Sequence, residues 1–394
     1  MTNTQQKDRR GIVYRVLTVL AVALIGASFF SPGWWVSLTA PNYPEATFPQ
    51  GIRILFHMDS VQNGCEIRDS QEVRETEALD CVHEMDTINH YVGMYPIASG
   101  GPVEKAFSPF LFAMLGVMAL TFAAPGRIPR MVVAVGGFGA VATWMTLAMY
   151  GENGIRLTTT NYLEGMVVSL GQDASDSTSS SHLPPIVQML KESLEESERD
   201  EAAALAEGND RDLLVATLKY AYETEQKKIP SYKREEWNGS IMQVFKWHYA
   251  KSLGRWFNEP ERNDPLVRTM DGVAQILYAG VMAFMLLMIF AAWSVRSIFH
   301  WLLVIAPMAL PVGFLAEYAG WLWWYGHSLN EMGAFTLKPF MPTVFGDGKV
   351  AQFTTHSYPA TGFFLMLGSS ALLLLAALIR LKQVRLAGPD AAKM

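Results

Sequence analysis

The chain has 394 residues, half of them hydrophobic, and a formal net charge of −6. That excess of acid gives no electrostatic footprint for nucleic acid, so no nucleic-acid partner is implied. The apolar residues are gathered into blocks, which excludes an ordinary soluble enzyme and points to an all-α integral membrane protein whose first partner is the lipid bilayer.

Residues 1–31 join a basic start, Lys7, Arg9 and Arg10, to an apolar run over 12–31. Ser28 to Pro32 is a poor small-residue cleavage site, so the run reads as an uncleaved first span. Further runs at 107–124, 131–150, 272–293, 301–325 and 361–379 approach the ~20 residues that a helix needs to cross ~30 Å of hydrocarbon. The expected outline is therefore about six spans, held in 1–31, 107–150, 272–325 and 361–394. Arg15, Arg127, Arg130, Arg296, Arg380, Lys382, Arg385 and Lys393 all fall on the side of the N-terminus. By the positive-inside rule that side is the cytoplasm. Both termini are then cytoplasmic, and segments 32–106, 151–271 and 326–360 face the periplasm of a bacterial inner membrane.

In the first outward segment, Trp34 and Trp35 read as interface anchors, and Pro41 and Pro44 favour an extended exit ahead of Glu45. Cys65 and Cys81, the only two cysteines, read as a disulfide worth roughly 3 kcal/mol for a loop of this size. The rival reading, a pair of thiolate metal ligands, lacks the usual C-x-x-C spacing. The run from Cys81 to Met94 carries the densest chemistry. Wound as a helix at ~100° per residue, it places His83, Asp86, His90 and Met94 on one face. Imidazole with thioether suits copper, and the added carboxylate suits zinc or another divalent ion. The alternative is a packing helix whose Asn89 and His90 bond to backbone.

The second outward segment, 151–271, reads as a helical insertion. It contains a disordered-looking Ser/Asp/Thr stretch over 173–181 and helical periodicity after Pro184 and Pro185. Helices are expected over 210–228, capped by Asp210, and over about 233–257. The acids Glu192, Glu195, Glu196, Glu198, Asp200 and Glu201 form a solvated face or, as a minority reading, a cation site. Span five carries Glu317 beyond Pro307 and Pro311, a carboxylate with a proton or ion role or simply a local partner. In the third outward segment, 326–360, His356 and Tyr358 come to the membrane at about the level of Trp34, so that His90 and His356 could share one site with Met58, Met85 or Met94. The 21 methionines tempt a copper pathway, but those within spans suit flexible packing. No C-x-x-C-H or G-x-x-x-x-G-K-[ST] motif is present, which argues against attached haem and nucleotide hydrolysis.

Three pieces, L-T-A-P-N-Y-P-E (38–45), I-N-H-Y-V-G-M (88–94) and H-S-Y-P-A (356–360), resemble blocks of a poorly characterised family of bacterial polytopic membrane proteins. The genes of that family accompany nitrous-oxide reductase maturation clusters. The resemblance covers about a third of the chain and implies work in copper handling or respiratory-enzyme assembly; the long insertion departs from the family's compact pattern. The expected function is an inner-membrane accessory protein, rather than an enzyme. It binds copper through His83, Asp86, His90, Met94 and His356, or docks a periplasmic or membrane metalloenzyme. Two further classes fit the same residues: a subunit of a copper-dependent membrane enzyme, and a small-molecule or ion transporter using Glu317.

Overall fold

The structure, a computed structural model, describes residues 3–65, 80–178, 210–295, 297–350 and 352–386. The expected helical periodicity after Pro184, the acid cluster 192–201, His182 and Arg296 lie outside them.

Among the described residues five helices are long and apolar enough to cross a membrane, and a bent pair of helices is long and apolar enough when taken together. They are α1 (Asn3–Phe29), α3 (Pro102–Ala123), α4 (Arg127–Tyr150), α8 (Pro260–Trp293) and α11 (Thr361–Leu386), with α9 (Ile298–Met308) and α10 (Leu310–His327) as the pair. The break falls at Ala309, with a bend of 59°. Pro311 has no amide proton to donate into the preceding turn, so it begins a helix where it cannot continue one. The spans bury large flexible side chains against one another, and Met118, Met145, Met149 and Met288 are fully enclosed. Methionine in the spans is packing material, as its lack of branching suits.

One end of the bundle is basic. Arg130 is buried and donates to the Ala292 carbonyl at 2.5 Å, while Arg127 lies over the Trp293 ring at 3.4 Å and Arg380 over Tyr14 at 5.2 Å. The opposite end carries everything else. At 34 residues α8 is about 51 Å long at 1.5 Å per residue, well beyond ~30 Å of hydrocarbon. Its first turns therefore stand outside the apolar layer, beside α7 (Ile241–Gly254).

The segments expected as plain loops at 32–106 and 326–360 contain a sheet. Strands β1 (Trp34–Thr39), β2 (Ile52–Phe56), β3 (Val61–Asn63), β4 (Gly346–Val350) and β5 (Phe353–Pro359) form an antiparallel sheet in the order β3-β2-β1-β5-β4. The helical class therefore stands for the membrane part, with this small sheet added outside it. β1 leaves span one and β5 enters span six, so their pairing, Trp34 opposite Pro359 and Ser37 opposite His356, ties the two spans together at the end of the bundle opposite the basic one. The amides of Ala360 and Gly362 complete the tie by donating to Gly33 and Pro32. Only glycine fits at 362, because a Cβ there would sit 2.8 Å from the carbonyl oxygens of Pro32 and Ser31.

Alternation then sorts the side chains. Trp34, Val36 and Leu38, with Ile52 and Ile54 opposite, turn to one face and bury against α2 (Cys81–Tyr91), α10 and Phe363. Trp34 is a core residue rather than an interface anchor; it is 2% exposed and its Nε1 donates to Ser357 Oγ at 2.8 Å. Trp35 turns the other way, beneath the Arg53 guanidinium at 4.4 Å and beside Tyr358.

The insertion holds α5 (Thr160–Thr178), α6 (Asp210–Lys228) and α7. α6 matches its expected bounds. The expected 233–257 helix is shorter, a 3-10 turn over Ser231–Lys233 followed by α7, whose N-cap Ser240 accepts from Gln243 N. Residues 173–178 of the Ser/Asp/Thr stretch complete α5 instead of being irregular. That helix is begun by Tyr162, Leu163 and Met166, which are buried in the core.

Candidate functional site

Cys65 and Cys81 are joined, with Cα atoms 6.1 Å apart, which ties the start of α2 to the β2–β3 hairpin. The tie takes both sulfurs out of the thiolate-ligand reading. Asp80 caps the helix by accepting from the amides of Val82 and His83.

The helix considered over 81–94 forms only over Cys81–Tyr91, which leaves Met94 beyond its end, and its His83/Asp86/His90 face is occupied by the end of α7. Arg255 reaches in, 4% exposed, with one guanidinium nitrogen 3.5 Å from Asp86 Oδ2 and another 3.2 Å from His83 Nδ1. His90 stacks on Trp256 at 4.7 Å between centroids and lies 5.1 Å from Phe257. Met94 is buried beside Tyr95, Tyr249 and Phe257. A guanidinium thus stands where the divalent ion was expected, and it answers the same carboxylate and imidazole chemistry. Asp86 does a second task, since its Oδ1 accepts from Ile97 N at 2.7 Å and pins the Pro96–Gly101 connection. Burial pushes its carboxyl up to about 7, opposed by that hydrogen bond and by Arg255.

His356 does not join this face. Its strand neighbour Ser357 points inward, bonded to Trp34 and Tyr318, so the period of two turns His356 to the outer face. There its Nδ1 pairs with Asp347 Oδ1 at 2.6 Å, and the hydrogen bonds from His356 and Tyr358 hold the Asp347 carboxyl below its usual range. The sheet stands between His356 and α2. The ends of spans one and six meet through β1 and β5, but His90 and His356 do not share a site. Among the described residues no group of three or more His, Cys, Asp or Glu side chains is placed to hold a metal.

The inner sheet face, α2 and α10 line a partly open cavity of about 220 Å³, far above the ~10–15 Å³ that one water occupies. Its walls are mostly apolar: Val36 and Ile54 from the sheet, Met85 and Ile88 from α2, Phe314 and Leu322 from α10. His57, Asn89, Lys105 and Glu317 interrupt them. Lys105 belongs to the first turn of α3 and donates to the Ala98 carbonyl at 3.4 Å. Glu317 comes from α10, on the far side of Gly101. That glycine has φ +59°, and a Cβ there would lie 3.6 Å from Glu317 Oε1, 3.8 Å from Lys105 Cε and 3.8 Å from Trp321 Nε1. The two opposite charges thus meet around one point without forming an ion pair among the described residues. Glu317 consequently lies level with the start of α3.

Lys105 also borders a second, smaller cavity of about 50 Å³, with Asp59, Ser169 and His248. Asp59 accepts from Thr159 Oγ1 at 2.5 Å, and Ser169 Oγ is 2.6 Å from His248 Nε2. Burial raises the Asp59 carboxyl and pulls the His248 ring down to about 4, leaving that imidazole neutral.

Lys105 and Arg255 were both missed from the sequence. Lys105 left a signal, a lone cation at the head of an apolar run; Arg255 left none, because its partners lie about 170 residues away. Comparison with protein-family models, with curated proteins and with solved structures finds no match to this chain.

Proposed function

We propose that this multi-pass membrane protein binds an amphipathic small molecule on its outward side, with the apolar body between sheet, α2 and α10 and the polar end at Lys105 and Glu317. The observation that carries this reading is a mainly apolar, partly open cavity at whose rim Lys105 and Glu317 present opposite charges with no ion pair between them among the described residues. Ligand sites combine apolar walls with a few placed polar groups in this way. Glu317 is exposed and Lys105 half-buried beside Glu104, so the polar end of a ligand can reach both. The basic end of the bundle faces the cytoplasm under the positive-inside rule, which sets both termini there and the cavity at the periplasmic face of a bacterial inner membrane. The test is to purify the protein in mild detergent, extract what it retains and identify it by mass spectrometry, beside Leu322→Trp, which fills the cavity. Retention of a defined amphiphile by the wild type and its loss in the variant supports the reading; equal retention, or none, refutes it.

A second reading keeps copper but moves it. Met58, Met85, Met94 and Met341 line the same cavity as His57, whose ring burial lowers its pKa and so keeps neutral. Thioethers with neutral imidazole suit Cu(I). Under this reading the protein would serve as the accessory to a copper enzyme that its sequence resemblance implies. Titration with Cu(I) against a competing chelator separates the sites: binding lost in Met85→Ala but kept in His356→Ala supports the cavity, and loss in His90→Ala alone returns the site to the α2 face.

A further inference from the structure

Glu317 stands at a seam on α10. At ~100° per residue, Phe314, Tyr318, Trp321 and Tyr325 turn from it to one side and line the cavity. Val312, Gly313, Ala316, Gly320 and Trp323 turn to the other side and are exposed. A Cβ on Gly313 or Gly320 would meet nothing within 4 Å, so this flank is open. The bend explains the opening: α9 packs along α3, whereas α10 leaves that line by 59°. The wedge so formed has the first turn of α3, with Glu104 and Lys105, on one side and Glu317 on the other. The cavity's polar mouth therefore adjoins an apolar, exposed helix face at the outward boundary of the bilayer.

We infer that this wedge is a side entrance from the outward leaflet, and that the occupant is a membrane phospholipid with a zwitterionic head. Its acyl chain lies along Phe314, Leu322, Met85 and Ile88; its phosphate meets Lys105 and its ammonium meets Glu317. The inference rests on the ligand-binding reading above. An exposed Val312–Trp323 face would be costly in water and is at home against lipid, so a ligand already in the leaflet reaches the mouth without crossing the aqueous phase. The charges choose the head. Lys105 favours a phosphate, but Glu104 and Glu317 flank it, so a head without a positive group would face two carboxylates.

The experiment places the full chain in vesicles containing a phosphatidylethanolamine with a photoactivatable diazirine on its acyl chain, and maps adducts after illumination. Adducts are expected on the walls, at Met85, Phe314 or Leu322. Gly313→Trp and Gly320→Trp, which fill the open flank, should each reduce them roughly tenfold, a difference of ~1.4 kcal/mol. Gly136→Trp, at an equally open position on α4, controls for bulk, and an unchanged unfolding temperature controls for folding. Wall adducts absent from every chain, wild type included, overturn ligand binding itself. Equal adducts in blocked and wild-type chains overturn the entrance while leaving binding in place. Equal labelling by a phosphatidylglycerol probe overturns the choice of head.

Discussion

Replacing Arg255 by methionine isolates the question of why the α2 face is polar. Methionine keeps much of the arginine stem's volume and its contact with Trp256, but removes the charge that answers Asp86. In the native protein Asp86 is fully buried and Arg255 4% exposed, at 3.5 Å. Removing one partner of a buried pair typically costs ~3–5 kcal/mol, because the other charge is left stranded. The sign with pH follows from the carboxyl. Its folded pKa, about 7, lies above its ordinary value, so the folded state holds the proton more tightly. Stability from this group is full below about pH 4 and is lost as the pH rises through about 7. Without Arg255 the carboxyl moves higher still. The Arg255→Met deficit should then be largest at pH 8 and shrink towards pH 5, where Asp86 is neutral, and Asp86→Asn in the same chain should recover most of it while preserving an acceptor for Ile97 N. Unfolding temperature in detergent between pH 5 and pH 9 reads all three. A deficit that does not vary with pH, or none at pH 8, refutes the argument.

Other outcomes follow from single contacts. The Cys65→Ser, Cys81→Ser double variant should lose roughly 3 kcal/mol, matched by adding reductant to the wild type and visible as a lower unfolding temperature in both. Gly101→Val forces a β-branched residue to φ +59° and should cost ~1–3 kcal/mol, with weaker retention of any cavity ligand, whereas Gly136→Val should show neither change. Trp34→Phe deletes the donor to Ser357 and part of a buried ring, and an unfolding assay should register a loss of ~1–3 kcal/mol. His356→Ala, on the outer face of the sheet, should leave cavity binding unaltered in the extraction experiment.

The spans were legible because hydrocarbon thickness imposes a length on them, and basic residues such as Arg127 and Arg380 mark one end whatever the tertiary fold. Most of the helix over 81–94 was legible too, since side-chain spacing is a local feature. The partner of its polar face was not. His83, Asp86 and His90 on one stripe say only that a cation-loving surface exists; whether a metal ion or Arg255 meets it depends on a docking of α7 that nothing near Cys81 records. The sheet was missed for a related reason. W-W-V-S-L-T and F-T-T-H-S-Y-P alternate only weakly, and the two tryptophans at the end of a span mimic an interface belt. Strand pairing between residues more than 300 apart turned Trp34 into core. The same pairing explains why the ends of spans one and six meet while His90 and His356 do not. Convergence needs only adjacency, whereas side-chain meeting needs parity, and a one-residue shift along β5 sends the imidazole to the other face.

The cavity itself is a consequence of two breaks in regularity that act together. A straight fifth span would continue α9 along α3 and close the wedge; the Ala309 break with Pro311 following it turns α10 aside. A bundle ending in simple loops would leave the space so opened as a groove filled with lipid or water. The sheet prevents that, because β1 and β5 are anchored directly to spans one and six, and β1 with its neighbour β2 presents Val36 and Ile54 as a roof over Phe314 and Tyr318. α2 then closes the remaining side, held by the Cys65–Cys81 link at its start, by Arg255 on its polar face and by Asp86 at the Ile97 amide. His83, Asp86 and His90 thus seat the helix from behind, and the opposite face of that helix, Met85 and Ile88, lines the cavity. Variants on the two faces should therefore separate, with His83 and Asp86 changes acting on stability and Met85 changes acting on what the cavity holds.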